Sequence, residues 1–136
     1  MTVMSNEEFA KYVMSLQEDG PFEPTATYNP DGDCIEFLVA PDPFYAERVD
    51  DLVTVYYSHD TNEIIGSLIK GVSRFCRQWP GLKIEIQDGP VKLEHIFRTR
   101  LWTSNPQPDE MKTLIYRKLI TMAEQNEAKA ELVGVM

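Results

Sequence analysis

The sequence predicts an α+β fold: one domain over residues 1–136, an antiparallel β-meander of four to five strands packed with helices from both chain ends. Two observations carry this expectation. The middle of the chain, residues 52–57 and 64–69, alternates with a period of two in β-branched and aromatic residues. The flanks, residues 5–18, 71–79 and 109–125, instead place their apolar residues at helical spacing. A chain of 136 residues, 43% hydrophobic, is long enough to bury a core without disulfide or metal staples.

Ser5-Asn6-Glu7-Glu8 has the form of a capping box, and Phe9, Tyr12, Val13 and Leu16 follow on one helical face. Gly20-Pro21 ends that helix, and Pro21 with Pro24 makes a connector, since two prolines in four residues suit neither a helix nor a central strand. Thr25–Tyr28 and Asp33–Val39 form a hairpin around Asn29-Pro-Asp-Gly32, with Ile35, Phe37 and Val39 directed to the core. Asn29, Asp31 and Asp33 recur at every second position, as calcium ligands do. The glycine that a calcium loop needs at its sixth position is missing, and Ala40 stands where its glutamate belongs. Ala40–Ala46, with prolines at 41 and 43, reads as a loop that leaves Phe44 and Tyr45 partly exposed.

Asp51 to Ile69 is the centre of the chain: a hairpin of two central strands joined by the polar run Ser58–Asn62. Both faces of its first strand carry large side chains, so the sheet needs cover on at least one side. Tyr28, Asp33, Ile35 and Phe37, then Val49-Asp50-Asp51, Val53 and Tyr56, then Glu63-Ile-Ile-Gly66 and Ile69 form a pattern. It resembles a small bacterial β-meander domain family of unknown function, in which a Tyr-Asp hairpin precedes an acidic-start strand and a glycine-containing strand. The resemblance covers Tyr28 to Phe75. It implies a sheet, brings no catalytic residues and leaves function open.

Val72, Phe75, Cys76 and Trp79 give a helix closed by Pro80-Gly81. Leu82–Gln87 alternates and reads as a further strand; Leu93, Ile96, Phe97 and Leu101 read as a helix after Pro90, with a strand over 96–102 as the alternative. Thr103–Pro108 is a linker. Asp109-Glu110 opens a last helix whose expected buried stripe is Met111, Leu114, Ile115, Leu119 and Met122. The terminal run Leu132–Met136 is apolar and carries no stop signal.

No apolar run approaches the roughly 20 residues that span a bilayer, and the first residues lack the basic and apolar regions of a secretory signal. A cytoplasmic protein with no membrane partner is the expectation, with Cys34 and Cys76 as reduced, buried thiols. The net charge of −9 argues against nucleic-acid binding. The charge is uneven: residues 1–67 hold 2 basic and 14 acidic side chains, residues 68–100 hold 7 and 3.

No catalytic, cofactor or metal signature stands out. His59 and His95 each neighbour a carboxylate, Asp60 and Glu94, but neither has a second ligand at metal-binding spacing. There is no nucleophile elbow and no glycine-rich phosphate loop. The basic block Lys70, Arg74, Arg77, Lys92, Arg98 and Arg100, with Trp79 and Trp102 nearby, is either a charged helix surface or an interface. Two functional classes follow. The first is a non-enzymatic interaction or regulatory protein with a protein partner. The second is a binder of a small anionic ligand, or an enzyme, with Tyr56, Tyr57, Arg98 and Arg100 lining a pocket between sheet and helices. A homodimer is also expected, its acidic and basic regions facing each other and Phe44, Tyr45 and Trp102 supplying apolar anchors.

Overall fold

The computed structural model describes residues 22–104 and 107–133, so the expected helix over 5–18 lies outside the described residues, as do residues 134–136. Strands β1 (Thr25–Asn29) and β2 (Cys34–Leu38) form the expected hairpin. Its turn is held by Asn29 Oδ1, which accepts from the Asp31 N–H at 3.0 Å, and by Asp33 at φ 48°. Asp33 does more than turn the chain. Its carboxylate accepts from the Tyr28 hydroxyl and the Ser73 hydroxyl, each at 2.7 Å, and from the Ser73 N–H at 3.1 Å. The acidic residue that hinted at calcium thus fastens the hairpin to the helix beginning at Val72.

Strands β3 (Phe44–Arg48), β4 (Val53–Ser58) and β5 (Ile64–Lys70) form a three-stranded antiparallel meander, and β2 joins it along β5. The five-stranded order is β1-β2-β5-β4-β3, which makes β4 and β5 the central strands, as their two-faced burial requires. The stretch expected to be a loop up to Ala46 is corrected here: from Phe44 onward it is an edge strand. Pro41 and Pro43 only precede it, so neither interrupts its pairing with β4. The β4–β5 register shifts at Tyr56/Tyr57, where Tyr56 faces Gly66 and Tyr57 faces Ile64.

Four helices follow among the described residues: α1 (Val72–Arg77), α2 (Pro80–Asp88), α3 (Leu93–Thr103) and α4 (Glu110–Gln125). None is long and apolar enough to cross a membrane. Leu82–Gln87, expected as a strand, is helical. Pro80 presets the first turn and the Lys83 N–H reaches the Trp79 carbonyl at 2.9 Å; the alternating apolar residues then divide, with Leu82 buried and Ile84 57% exposed. Of the two readings for 91–102, the helix is observed. A short pairing of β6 (Val91–Lys92) with β7 (Lys129–Ala130) ties its start to the chain beyond α4.

Ile35, Phe37, Val53, Val55 and Ile69 share one face of the sheet and pack with Val72, Cys76, Leu93, Ile96, Phe97, Tyr116 and Leu119, all fully buried. Tyr56 and Ile65 are buried outside this cluster. The stripe expected on α4 is rotated. Tyr116, Leu119, Ile120, Met122 and Ala123 face inward, whereas Met111 and Leu114 stand 66% and 60% exposed. The rotation follows Tyr116, whose ring fills the core while its hydroxyl finds a polar partner on Asp50. Cys76 is fully buried, which pushes its thiol up to about 12; Cys34 is only half-buried, and both are free.

Candidate functional site

The outer edge of β3 presents unpaired backbone groups among the described residues. All five of its residues are exposed, and no described strand pairs beyond it. The Val49 N–H donates to the Val53 carbonyl and the His59 N–H to the Pro43 carbonyl, so residues 43 and 49 face β4. With the period of two, Tyr45 and Glu47 bond β4 as well, and the N–H and C=O groups of Phe44, Ala46 and Arg48 point outward. Such a row is a template for another strand.

Cross-strand stacking fixes the side chains of this edge. Phe44 lies on Tyr56 with centroids 4.3 Å apart on one face, and Tyr45 lies on Tyr57 at 5.5 Å on the other. The Tyr45 hydroxyl donates to Asn62 Oδ1 at 3.3 Å. The two aromatics expected to form one patch therefore sit on opposite faces of one strand edge. On the Tyr45 side a cleft of about 470 Å³ opens toward the first turns of α4, lined by Tyr45, Glu47, Val55, Tyr57, Met111 and Ile115. Asp109 caps that helix, its Oδ1 accepting the Lys112 N–H at 2.8 Å. Trp102, the third expected anchor, is 75% exposed at the far end of α3 and lines neither the strand nor the cleft.

The expected anion pocket does not assemble. Tyr56 and Tyr57 are consecutive on β4 and face opposite sides. The Tyr56 hydroxyl donates to Glu36 at 3.2 Å, and burial together with that carboxylate pushes it up to about 12. Burial, then Glu47, also raises Tyr57. Arg98 is engaged with Glu94 at 3.6 Å and Glu124 at 3.3 Å, and Arg100 with Asp50 at 3.4 Å and with Asp51. Arg98→Ala is accordingly expected to change unfolding free energy by about 1 kcal/mol or less in urea denaturation, since Arg98 is itself 38% exposed and its nearer partner Glu124 is 61% exposed.

The group that sequence reading missed is Asp50. Its side chain is 7% exposed and accepts from the Leu52 N–H at 2.9 Å, the Val53 N–H at 2.8 Å, the Tyr116 hydroxyl and Arg100 Nε. Burial alone would push this carboxyl up, but those donors outweigh it and hold it below the ordinary carboxylate range. Four donors fill the acceptor capacity of a carboxylate, which leaves it a strut joining β4, α3 and α4 rather than a poised base. The only hint in the sequence was the acidic pair before β4; nothing local pointed to Tyr116.

Elsewhere, His59 stacks against Tyr45 at 5.1 Å and His95 Nδ1 meets Glu85 at 2.7 Å, so the two histidines have separate partners. Among the described residues no group of three or more His, Cys, Asp or Glu side chains could hold a metal ion. Lys70, Arg74 and Arg100 border a groove of about 230 Å³ in which Asp51 answers Arg100. Trp79 packs edge-on against Phe75, and its Nε1 is buried without a partner among the described residues. No family model, curated protein or solved structure matches this chain.

Met111→Glu with Leu114→Glu provides a check on the site. Both side chains are mostly in water, so each change is expected to alter folding stability by about 0.5 kcal/mol or less in chemical denaturation, while the first puts a charge in the lining of the cleft. A loss of several kcal/mol would mean that these side chains belong to the core.

Proposed function

We propose that this is a non-enzymatic interaction protein, cytoplasmic and without nucleic-acid or membrane partners, that works through the outer edge of β3. The observation carrying this reading is a neutral edge strand, exposed at all five residues and flanked by a cleft whose lining includes the exposed Met111. Backbone groups along an open edge supply affinity, and side-chain pockets beside it supply choice of partner. A net charge of −9 supports the exclusion of nucleic acid. The occupied arginines Arg98 and Arg100 support a protein partner over a small anion. The resemblance over Tyr28–Phe75 to a small bacterial β-meander family fits this proposal, because that pattern includes β4 and β5 but brings no catalytic residue.

The reading is tested with a photo-crosslinking amino acid at Met111, in the cleft lining, in cells that make the protein. Illumination should give a protein adduct that disappears when Ala46→Pro is added. An adduct insensitive to that change, or a small anionic ligand that raises the melting temperature of the wild type but not of Arg100→Ala, would overturn it.

A further inference from the structure

We infer that the occupant of the β3 edge is a second copy of this chain, paired antiparallel about Ala46. This rests on the edge-strand reading and names its partner. The sequence of β3, Phe44-Tyr45-Ala46-Glu47-Arg48, is complementary to itself when reversed. A two-fold axis at Ala46 sets Phe44 opposite Arg48 of the other copy, Tyr45 opposite Glu47, and Ala46 opposite Ala46. The outward backbone groups belong to Phe44, Ala46 and Arg48, which are the residues that this register requires as hydrogen-bonded pairs.

Charge selects the same partner and the same register. Each molecule carries −9, so two copies repel over most of their surfaces, but Glu47 and Arg48 cancel within the strand. In the Ala46 register no like charges oppose one another. Arg48 meets the exposed part of the Phe44 ring, whose inner side already rests on Tyr56, and a guanidinium over an aromatic ring is attractive. Centring the axis on Glu47 or Arg48 would put like charges face to face, centring it on Tyr45 would crowd two aromatic rings at the axis, and centring it on Phe44 would leave most of the strand unpaired. Only small Ala46 sits at the axis, where two side chains must share the least space.

A five-residue strand is a small interface against the roughly 800 Å² per partner of a stable complex. The two-fold axis is perpendicular to the sheet, so both α4 helices lie on the same face of it, one on each side of the seam. The two clefts beside Tyr45, with the exposed Met111 in their lining, flank the seam and add apolar area. Among the described residues the product is one continuous sheet of ten strands, with the two β1 strands at its outer edges.

Light scattering across a dilution series tests this on the whole chain. The wild type should show twice the 15.6 kDa chain mass, with dissociation on dilution. Ala46→Pro removes an outward N–H without touching the bonds to β4, and Ala46→Lys places two ammonium groups at the axis. Both should keep the wild-type circular dichroism and weaken dimerisation at least tenfold. A readout free of substitutions is hydrogen exchange, which should slow at Phe44, Ala46 and Arg48 as concentration rises. Chain mass at every concentration, or a doubled mass retained by folded Ala46→Pro, would overturn the inference. If the wild type is monomeric yet the Met111 crosslink still captures another protein in an Ala46-dependent way, self-pairing fails and the edge-strand reading stands. If neither occurs, both fail.

Discussion

Asp50→Ala is expected to lower the unfolding free energy by about 3–5 kcal/mol, the cost of removing one partner from a buried charged network. The substitution strands the buried Tyr116 hydroxyl and the Leu52 and Val53 N–H groups at once, and leaves Arg100 with Asp51 as its remaining carboxylate. Against a total stability of about 5–15 kcal/mol this is a large fraction, and the melting temperature should fall by about 10 °C or more. Tyr116→Phe removes one donor and leaves Asp50 three, so about 1–2 kcal/mol is expected. Asp50→Asn keeps an acceptor for the two backbone donors and should fall between them. The pH dependence has a definite sign. The folded Asp50 carboxyl is held below its ordinary value, so its contribution is present above the unfolded value of about 4 and is lost as the pH falls below it through the folded value. Urea unfolding of wild type and Asp50→Asn between neutral and acid pH checks this. Equal acid slopes, or an Asp50→Ala protein within 1 kcal/mol of wild type, would show that the node is not a strut.

Gly66→Ala should be comparably damaging for a different reason. A Cβ at Gly66 would lie 2.1 Å from the Phe37 carbonyl oxygen and 3.1 Å from Leu38 Cδ2. The first contact is with backbone, so β2 must separate from β5 in the middle of the sheet. The expected loss is about 3 kcal/mol or more, at the upper end of overpacking effects, with hydrogen exchange rising first in β1 and β2. Two other glycines calibrate the effect. Gly71, at φ 63° with open space around it, should cost about 1 kcal/mol as alanine. Gly81, inside α2 with nothing within 4 Å, should instead gain about 0.5–1 kcal/mol. Denaturant midpoints that rank Gly66→Ala with Gly81→Ala would contradict the close approach of β2 and β5.

What the sequence determined by itself was the local periodicity and its punctuation. The hairpins β1–β2 and β4–β5, the helices at 72–77 and 110–125, and the α+β class all follow from alternation, turn residues and caps that act within a few positions of one another. Tertiary structure decided the rest, because the deciding partners lie far away in the chain. Leu82–Gln87 alternates like a strand, yet Pro80 starts a helix there and Glu85 is engaged by His95 and the Lys92 N–H. Ala40–Ala46 reads as a loop because of Pro41 and Pro43, yet from Phe44 onward β4 offers the chain a ladder of hydrogen bonds and two tyrosines to stack on. The face of α4 was set by Tyr116 reaching Asp50, 66 residues away, which turned Met111 and Leu114 outward. The same long-range pairing occupied Arg100 and dispersed the expected anion pocket. Residue types and spacing state which side chains can bond; with acidic residues outnumbering basic ones by 22 to 13, only the folded geometry could state which carboxylate each arginine would meet.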